Sequence, residues 1–123
     1  MFDVDENGII TNVNYHDLIL TEISLINDTL RISLTSDDEK RKTYLTLEDV
    51  SYFSSLELVP KGIVMSCYFF KPRAIPDHLK EEIDLSNLFN YRKDEDYVFY
   101  ADGSYGFEIL ASCKSGKFSS ESD

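Results

Sequence analysis

The sequence predicts a mainly β domain with a minor helical part, built as an antiparallel sheet or sandwich of about six to eight strands with one short helix. Three observations carry this prediction. Alternating apolar and polar residues recur in short runs, and pairs that favour tight turns, Asn27-Asp28 and Asp102-Gly103, separate these runs. The almost continuous apolar run 63–70 has the profile of a strand that is covered on both faces.

The first two alternating runs predict a β-hairpin. Residues 5–8 (DENG) form a turn signal near the start of the chain. Runs 18–26 and 29–35 then alternate on either side of Asn27-Asp28, a pair that suits a two-residue turn. On the second run, the residues predicted to face the core are Leu30, Ile32 and Leu34.

The middle of the chain predicts a loop followed by further strands. Stretch 36–42 is entirely polar and is expected to be a solvated loop. Run 43–47 resumes the strand pattern, and the apolar run 50–53 is expected to continue it through a bulge at Glu48-Asp49. Run 63–70 is expected to be a central strand.

The last third predicts the helix and a final hairpin. After Pro76, stretch 77–90 places apolar residues at near-helical spacing, with acids between them. Runs 97–101 and 105–113 flank Asp102-Gly103, a pair suited to a tight turn with positive φ.

The chain is expected to form a single globular domain over residues 1–113, with a frayed polar tail over 114–123. Cys67 and Cys113 lie in apolar runs and are expected to be small buried hydrophobic residues. Residues 1–8 carry acids and no basic region, which favours a cytoplasmic location.

Charge is the strongest compositional feature. Twenty-three acids against twelve bases give a formal net charge of −11. Such a surface repels nucleic acid and anionic membranes, because binding to phosphate depends on Lys and Arg. It attracts basic proteins and speeds their encounter. The alternative is that the acidity only keeps the protein soluble.

The first residues of the chain are candidate metal ligands. Asp3, Asp5 and Asn7, followed by Gly8, occupy positions one, three, five and six of a calcium loop, a pattern that resembles EF-hand and dockerin loops. Position twelve, which needs a bidentate carboxylate, is Asn14. An acidic turn before a short strand explains the same residues. A small ligand- or calcium-binding β domain is therefore the alternative function, and no cofactor is predicted.

No catalytic residues are predicted. His16 and His78 lie in no motif that links either of them to Cys67, Cys113 or a serine, as nucleophilic catalysis requires. The candidate partner-binding residues are acids and tyrosines in two segments: Asp37, Asp38, Glu39, Tyr91, Asp94, Glu95, Asp96, Tyr97 and Tyr100. Exposed tyrosines beside acids are typical of protein interfaces, although alternating tyrosines can also simply pack on a sheet.

Tyr15-His16-Asp17, followed by the hairpin over residues 18–34, is similar to a group of small bacterial proteins. That group includes immunity proteins of polymorphic toxin systems, in which "HD" precedes a first hairpin. The likeness extends over the first half of the chain and residues 103–113. It implies a cytoplasmic inhibitor that occludes a toxin domain, and it carries over no catalytic residues.

Overall fold

The computed structural model describes residues 1–13, 15, 18–56, 62–81, 83, 96–104 and 107–122. It is mainly β, as predicted, and consists of two four-stranded antiparallel sheets. The strands are β1 (Ile19–Ile26), β2 (Thr29–Thr35), β3 (Arg41–Glu48), β4 (Tyr52–Leu56), β5 (Val64–Phe70), β6 (Tyr97–Gly103), β7 (Glu108–Cys113) and β8 (Ser115–Ser122). In the described part of the chain, no helix is long and apolar enough to cross a membrane.

The two sheets share a corner that is formed by two neighbouring connections. The first sheet has the order β1-β2-β3-β8 and the second the order β4-β7-β6-β5. Strand β3 leads into β4, and β7 leads into β8, so the paired strands change sheet side by side. The expected bulge at Glu48-Asp49 is therefore wrong, because the chain leaves the first sheet there, with a φ of 54° at Asp49.

The first hairpin forms as predicted. Asn27 and Asp28 both have positive φ values, 52° and 64°, as a type I′ turn requires, and Ile26 lies opposite Thr29. The alternation of β2 turns one face towards the second sheet. The residues on that face are all buried: Leu30, Ile32 and Leu34.

The core lies between the two sheets. Apolar side chains of both sheets belong to one buried cluster, in which Phe99 and Phe107 are the largest fully buried side chains. Burying each such side chain contributes about 1.5–3 kcal/mol to stability. Close packing in this cluster holds the two sheets against each other.

The outer face of the second sheet carries a second cluster, in which Leu79 and Ile83 pack with sheet residues such as Tyr68 and Val98. In the described part of the helix expected over 77–90, the structure has a 3-10 turn, Asp77–Leu79, and no α-helix. Leu79 and Ile83 are buried against the second sheet, so contacts with the sheet act on this segment in addition to its local sequence. Residues 82 and 84–90 lie outside the described residues, and that part of the helix stays a prediction.

Strand β5 is covered on both faces only over residues 67–70, since Met65 is 55% exposed, and it is the last strand of its sheet rather than a central one. The N-terminal segment pairs with its outer side. Ile10 donates its N–H to the carbonyl of Cys67 at 2.9 Å, and Phe69 donates to that of Gly8 at 2.8 Å. This pairing satisfies backbone groups that an edge strand would expose.

The final turn and the C-terminal tail differ from the predictions. Asp102 and Gly103 lie inside β6, where Asp102 pairs with Glu108, so the tight turn predicted there is wrong. The tail expected to fray is also wrong over Ser115–Ser122, because β8 pairs with β3 along its whole length. Gly116 and Phe118 face the leucines of β3 in this pairing, which gives the Ser-rich segment an apolar side.

Candidate functional site

The corner between the sheets carries an acid-lined depression of about 280 Å³. Asp28, Asp49 and Asp96 line it, together with Val50, Ser51 and Lys114. We call this surface the acidic corner. Three carboxylates face a single ammonium group there, so the depression attracts cations.

Backbone bonds place the two exposed acids of the acidic corner side by side. Asp28 lies in the β1–β2 turn and Asp49 in the connection from β3 to β4. The N–H of Val50 donates to the carbonyl of Asp28 at 2.8 Å, which ties the connection to the turn. In the neighbouring connection, from β7 to β8, Lys114 donates its N–H to the carbonyl of Glu48 at 3.0 Å. The acids are thus held by the same bonds that form the corner.

Asp96 lines the depression from inside the protein, since only 1% of its surface is exposed. Its Oδ2 accepts a hydrogen bond from the hydroxyl of Ser51 at 3.1 Å. Burial raises the pKa of the Cys113 thiol to about 12, and the nearby Asp96 carboxylate adds to the shift. The expectation that Asp96 is an exposed contact residue is therefore wrong, although it does lie at a candidate site.

Asp28 and Asp49 are exposed, and neither carboxylate has a hydrogen bond or ion pair with another described residue. Two large apolar side chains just before this turn are exposed to solvent: Leu25 is 50% exposed and Ile26 is 66% exposed. These two carboxylates can contact a cation without first breaking a bond to another described residue. Such carboxylates beside exposed apolar side chains are features of protein-binding surfaces.

The predicted acidic loop at Asp37, Asp38 and Glu39 lies at the opposite end of β2 from Asp28. Its middle acid stabilises the turn itself. Asp38 Oδ1 accepts hydrogen bonds from the Ser36 hydroxyl at 2.6 Å and from the Lys40 N–H at 3.0 Å. These bonds lower the pKa of Asp38. The structure does not bring this loop together with the other predicted acids.

The predicted tyrosines that the structure describes pack within the protein. Tyr100 is 2% exposed and donates to Glu108 Oε1 at 2.9 Å, so the expectation that it is exposed is wrong. Tyr97 stacks on Phe69, with ring centroids 4.5 Å apart, and the Lys71 ammonium lies 4.1 Å from its centroid. For these two tyrosines, packing on the sheet describes what is observed. Tyr91, Asp94 and Glu95 lie outside the described residues.

The predicted calcium ligands form a hairpin turn. Asp5 Oδ1 accepts the N–H groups of Asn7 at 2.8 Å and Ile9 at 3.0 Å, and Gly8 follows with a φ of 78°. Asp3 is exposed and its carbonyl accepts the N–H of Thr11. Among the described residues, no group of three or more His, Cys, Asp or Glu is placed to hold a metal ion. Asn14 lies outside that part of the chain.

The thiols and the described histidine do not meet in a catalytic arrangement. Cys67 and Cys113 are buried, and burial is the main cause of the raised pKa of each thiol. A thiol that stays protonated is a poor nucleophile. His78 is exposed, with Nε2 3.1 Å from the hydroxyl of Tyr68. His16 and Asp17 lie outside the described residues.

Comparisons with protein-family models, with curated proteins and with solved structures found no match for this chain. The sequence identified Asp28 only as a turn residue, and it did not place Asp28 and Asp49 together. Each acid has a local signal, since both follow a strand at a turn-forming position. Only the change of sheet at the corner brings the two together.

Proposed function

We propose that this chain is a protein-binding module that contacts a basic partner through the acidic corner. The observation that carries the proposal is the pair of exposed carboxylates, Asp28 and Asp49, without hydrogen bonds or ion pairs to other described residues, beside the buried carboxylate of Asp96. A Lys or Arg side chain of the partner fits the charge of this depression.

Two further properties support a protein as the ligand. Leu25 and Ile26 supply exposed apolar surface next to the turn that carries Asp28. A net charge of −11 accelerates encounter with a basic surface by long-range attraction. Apolar contacts then provide affinity, while the acids orient the partner.

The most specific form of the proposal is an immunity-like inhibitor that occludes a basic toxin domain in the cytoplasm. The sequence likeness around residues 15–34 supports this form, and the charge agrees with it independently. Occlusion requires no catalytic residue. It needs only a surface that complements the partner and a complex that dissociates more slowly than the toxin meets its substrate.

The test is a pull-down from the source lysate with three forms of the tagged protein: wild type, Asp28→Asn with Asp49→Asn, and Asp37→Asn. Asparagine is suited to both corner positions because it tolerates positive φ and removes only the charge. Asp37 is an exposed acid roughly 20 Å away along β2, so its variant controls for a charge change remote from the corner.

We expect one stoichiometric basic protein to bind the wild type and Asp37→Asn, and high salt to weaken it. Loss of two exposed ion pairs at about 0.2–1 kcal/mol each should weaken the double variant by roughly two- to thirtyfold. Equal retention by all three forms would contradict the assignment to the acidic corner. Co-expression tests the inhibitor form, since the captured protein should be toxic alone and harmless with this chain.

A further inference from the structure

The outer side of β1 is an edge of the first sheet, and the first hairpin determines which backbone groups this edge exposes. Ile26 and Thr29 flank a two-residue turn, so they exchange hydrogen bonds, and every second residue of β1 then bonds to β2. Ile23 and Leu25 lie between the bonded positions. Their N–H and C=O groups therefore point away from β2.

In the described part of the chain, only the start of β1 has a backbone neighbour on this outer side. Leu20 donates its N–H to the carbonyl of Gly62 at 2.9 Å, and Val64 donates to the carbonyl of Leu18 at 3.0 Å. After Leu20, no described residue forms a backbone hydrogen bond with the outer side of β1. The outward groups of the later residues are thus available to a further strand.

Two other outer strands are protected in ways that β1 is not. The N-terminal segment pairs with the outer side of β5, and β8 carries Lys117 and Glu121, charged residues of the kind that protect sheet edges. Strand β1 has a single charged residue, Glu22, and it ends in the exposed apolar residues Leu25 and Ile26. An edge of this kind favours pairing with another chain.

The open side of β1 is complementary to itself. Two antiparallel copies that meet with Ser24 on a two-fold axis place Ile23 of each copy opposite Leu25 of the other. All the outward N–H and C=O groups of these residues are then bonded. Both residues lie on the core-facing side of β1, because they pair with the buried Ile32 and Leu30 of β2. The same register therefore places apolar side chains against each other across the new strand pair.

The acids of the hairpin and the segment beside β1 favour this register over its neighbours. With Ser24 on the axis, Glu22 lies opposite Ile26 of the second copy, so no acid of β1 faces an acid. An axis one residue further along β1 would place Glu22 opposite Asp28 of the second copy, where the two carboxylates repel. An axis one residue earlier would bring the second copy against segment 62–64.

We propose that β1 is a dimerisation edge, at which a second copy of this chain extends the first sheet by antiparallel β1–β1 pairing about Ser24. A single strand pair is small beside the roughly 1,200 Å² that stable interfaces bury, so the dimer is weak. The net charge of −11 on each chain opposes association until salt screens it. The inference goes beyond the proposed function, and a basic partner that uses Leu25 and Ile26 competes with the second copy.

Sedimentation velocity of the full chain between about 10 µM and 1 mM tests for the dimer. We expect a monomer–dimer equilibrium that high salt strengthens, the opposite of its effect on a basic partner. Leu25→Pro removes an outward N–H and keeps the bonds to β2, so it should abolish the dimer. By the same alternation, Ser120 points its N–H away from β3, so Ser120→Pro is the matched control on β8 and should dimerise like the wild type.

Cysteine cross-linking tests the register. With Ser24 on the axis, its two Cα atoms lie about 4.5 Å apart, within the range of a disulfide. The two Glu22 positions are four residues apart along the strand pair, at least about 13 Å, which is beyond that range. With oxidised glutathione, Ser24→Cys should therefore form a covalent dimer and Glu22→Cys should not. The native thiols, Cys67 and Cys113, are buried.

Further variants keep the proposal open to refutation. If Leu25→Pro does not fold, Leu25→Lys replaces it: this variant lowers the net negative charge, which favours association, but it places a charge in the apolar pair and should lose the dimer. Asp28→Asn with Asp49→Asn should still dimerise, which separates this proposal from the acidic corner. A monomer at about 1 mM in high salt, dimerisation of folded Leu25→Pro or of Leu25→Lys equal to that of the wild type, or cross-linking of Glu22→Cys as fast as that of Ser24→Cys would each overturn the proposal.

Discussion

Gly103 offers a test of how the second sheet is packed. The sequence predicts a turn glycine with positive φ, whereas the structure places Gly103 at the end of β6, outside the left-handed region. There it lies against Phe107. A Cβ added at Gly103 would lie 1.8 Å from Phe107 Cε1 and 2.5 Å from the carbonyl oxygen of Ile63. Glycine is required because there is no space for a side chain.

The cost of Gly103→Ala follows from these two overlaps. Phe107 is fully buried and the Ile63 carbonyl accepts the N–H of Ser104 at 2.9 Å, so neither neighbour can move freely. Overpacking a core costs about 1–3 kcal/mol, and the backbone overlap places this variant at or above the upper end, about 3 kcal/mol. With an unfolding entropy of about 2.1 cal/mol/K per residue, that loss lowers the melting temperature by about 12 °C.

Thermal and urea unfolding of Gly103→Ala and Gly103→Asn measure this cost. If positive φ were the reason for glycine, Asn would be tolerated better than Ala. Steric exclusion predicts that Asn is at least as destabilising as Ala. Phe107→Leu removes the ring atoms that the new Cβ meets, so Gly103→Ala should cost less in that background. A melting temperature unchanged by Gly103→Ala would refute the packing described here.

Two other predictions concern buried polar groups. Burial raises the pKa of Cys113 to about 12 and also raises that of Cys67, whereas unfolded thiols titrate near pH 8.5. Above that pH the unfolded chain loses protons that the folded chain keeps, so the free energy of unfolding should fall by about 1.4 kcal/mol per pH unit for each thiol. Urea unfolding between pH 8 and 10 measures this slope, and a flat profile would contradict it. Ser51→Ala removes a hydroxyl donor from the buried Asp96 and should cost about 1–3 kcal/mol in the same assay at pH 7, whereas an unchanged urea midpoint would show that this bond is dispensable.

The sequence determined the local structure where neighbouring residues alone decide it. The Asn27-Asp28 turn and the inward face of β2 follow from turn chemistry and from the two-residue period of a strand. The mainly antiparallel fold class follows from the recurrence of such runs. The burial of the two cysteines follows from the apolar runs that contain them.

Tertiary structure decided the features that depend on distant pairing. Residues 115–122 carry little apolar pattern, and they form β8 because β3 presents a free edge beside the corner. Gly103 cannot be a turn residue because β6 continues through it to pair with β5. The acidic corner belongs to this second group as well. Asp28 and Asp49 come together only where the chain changes sheet. Local pattern sets which way a side chain points, but strand pairing sets its neighbours.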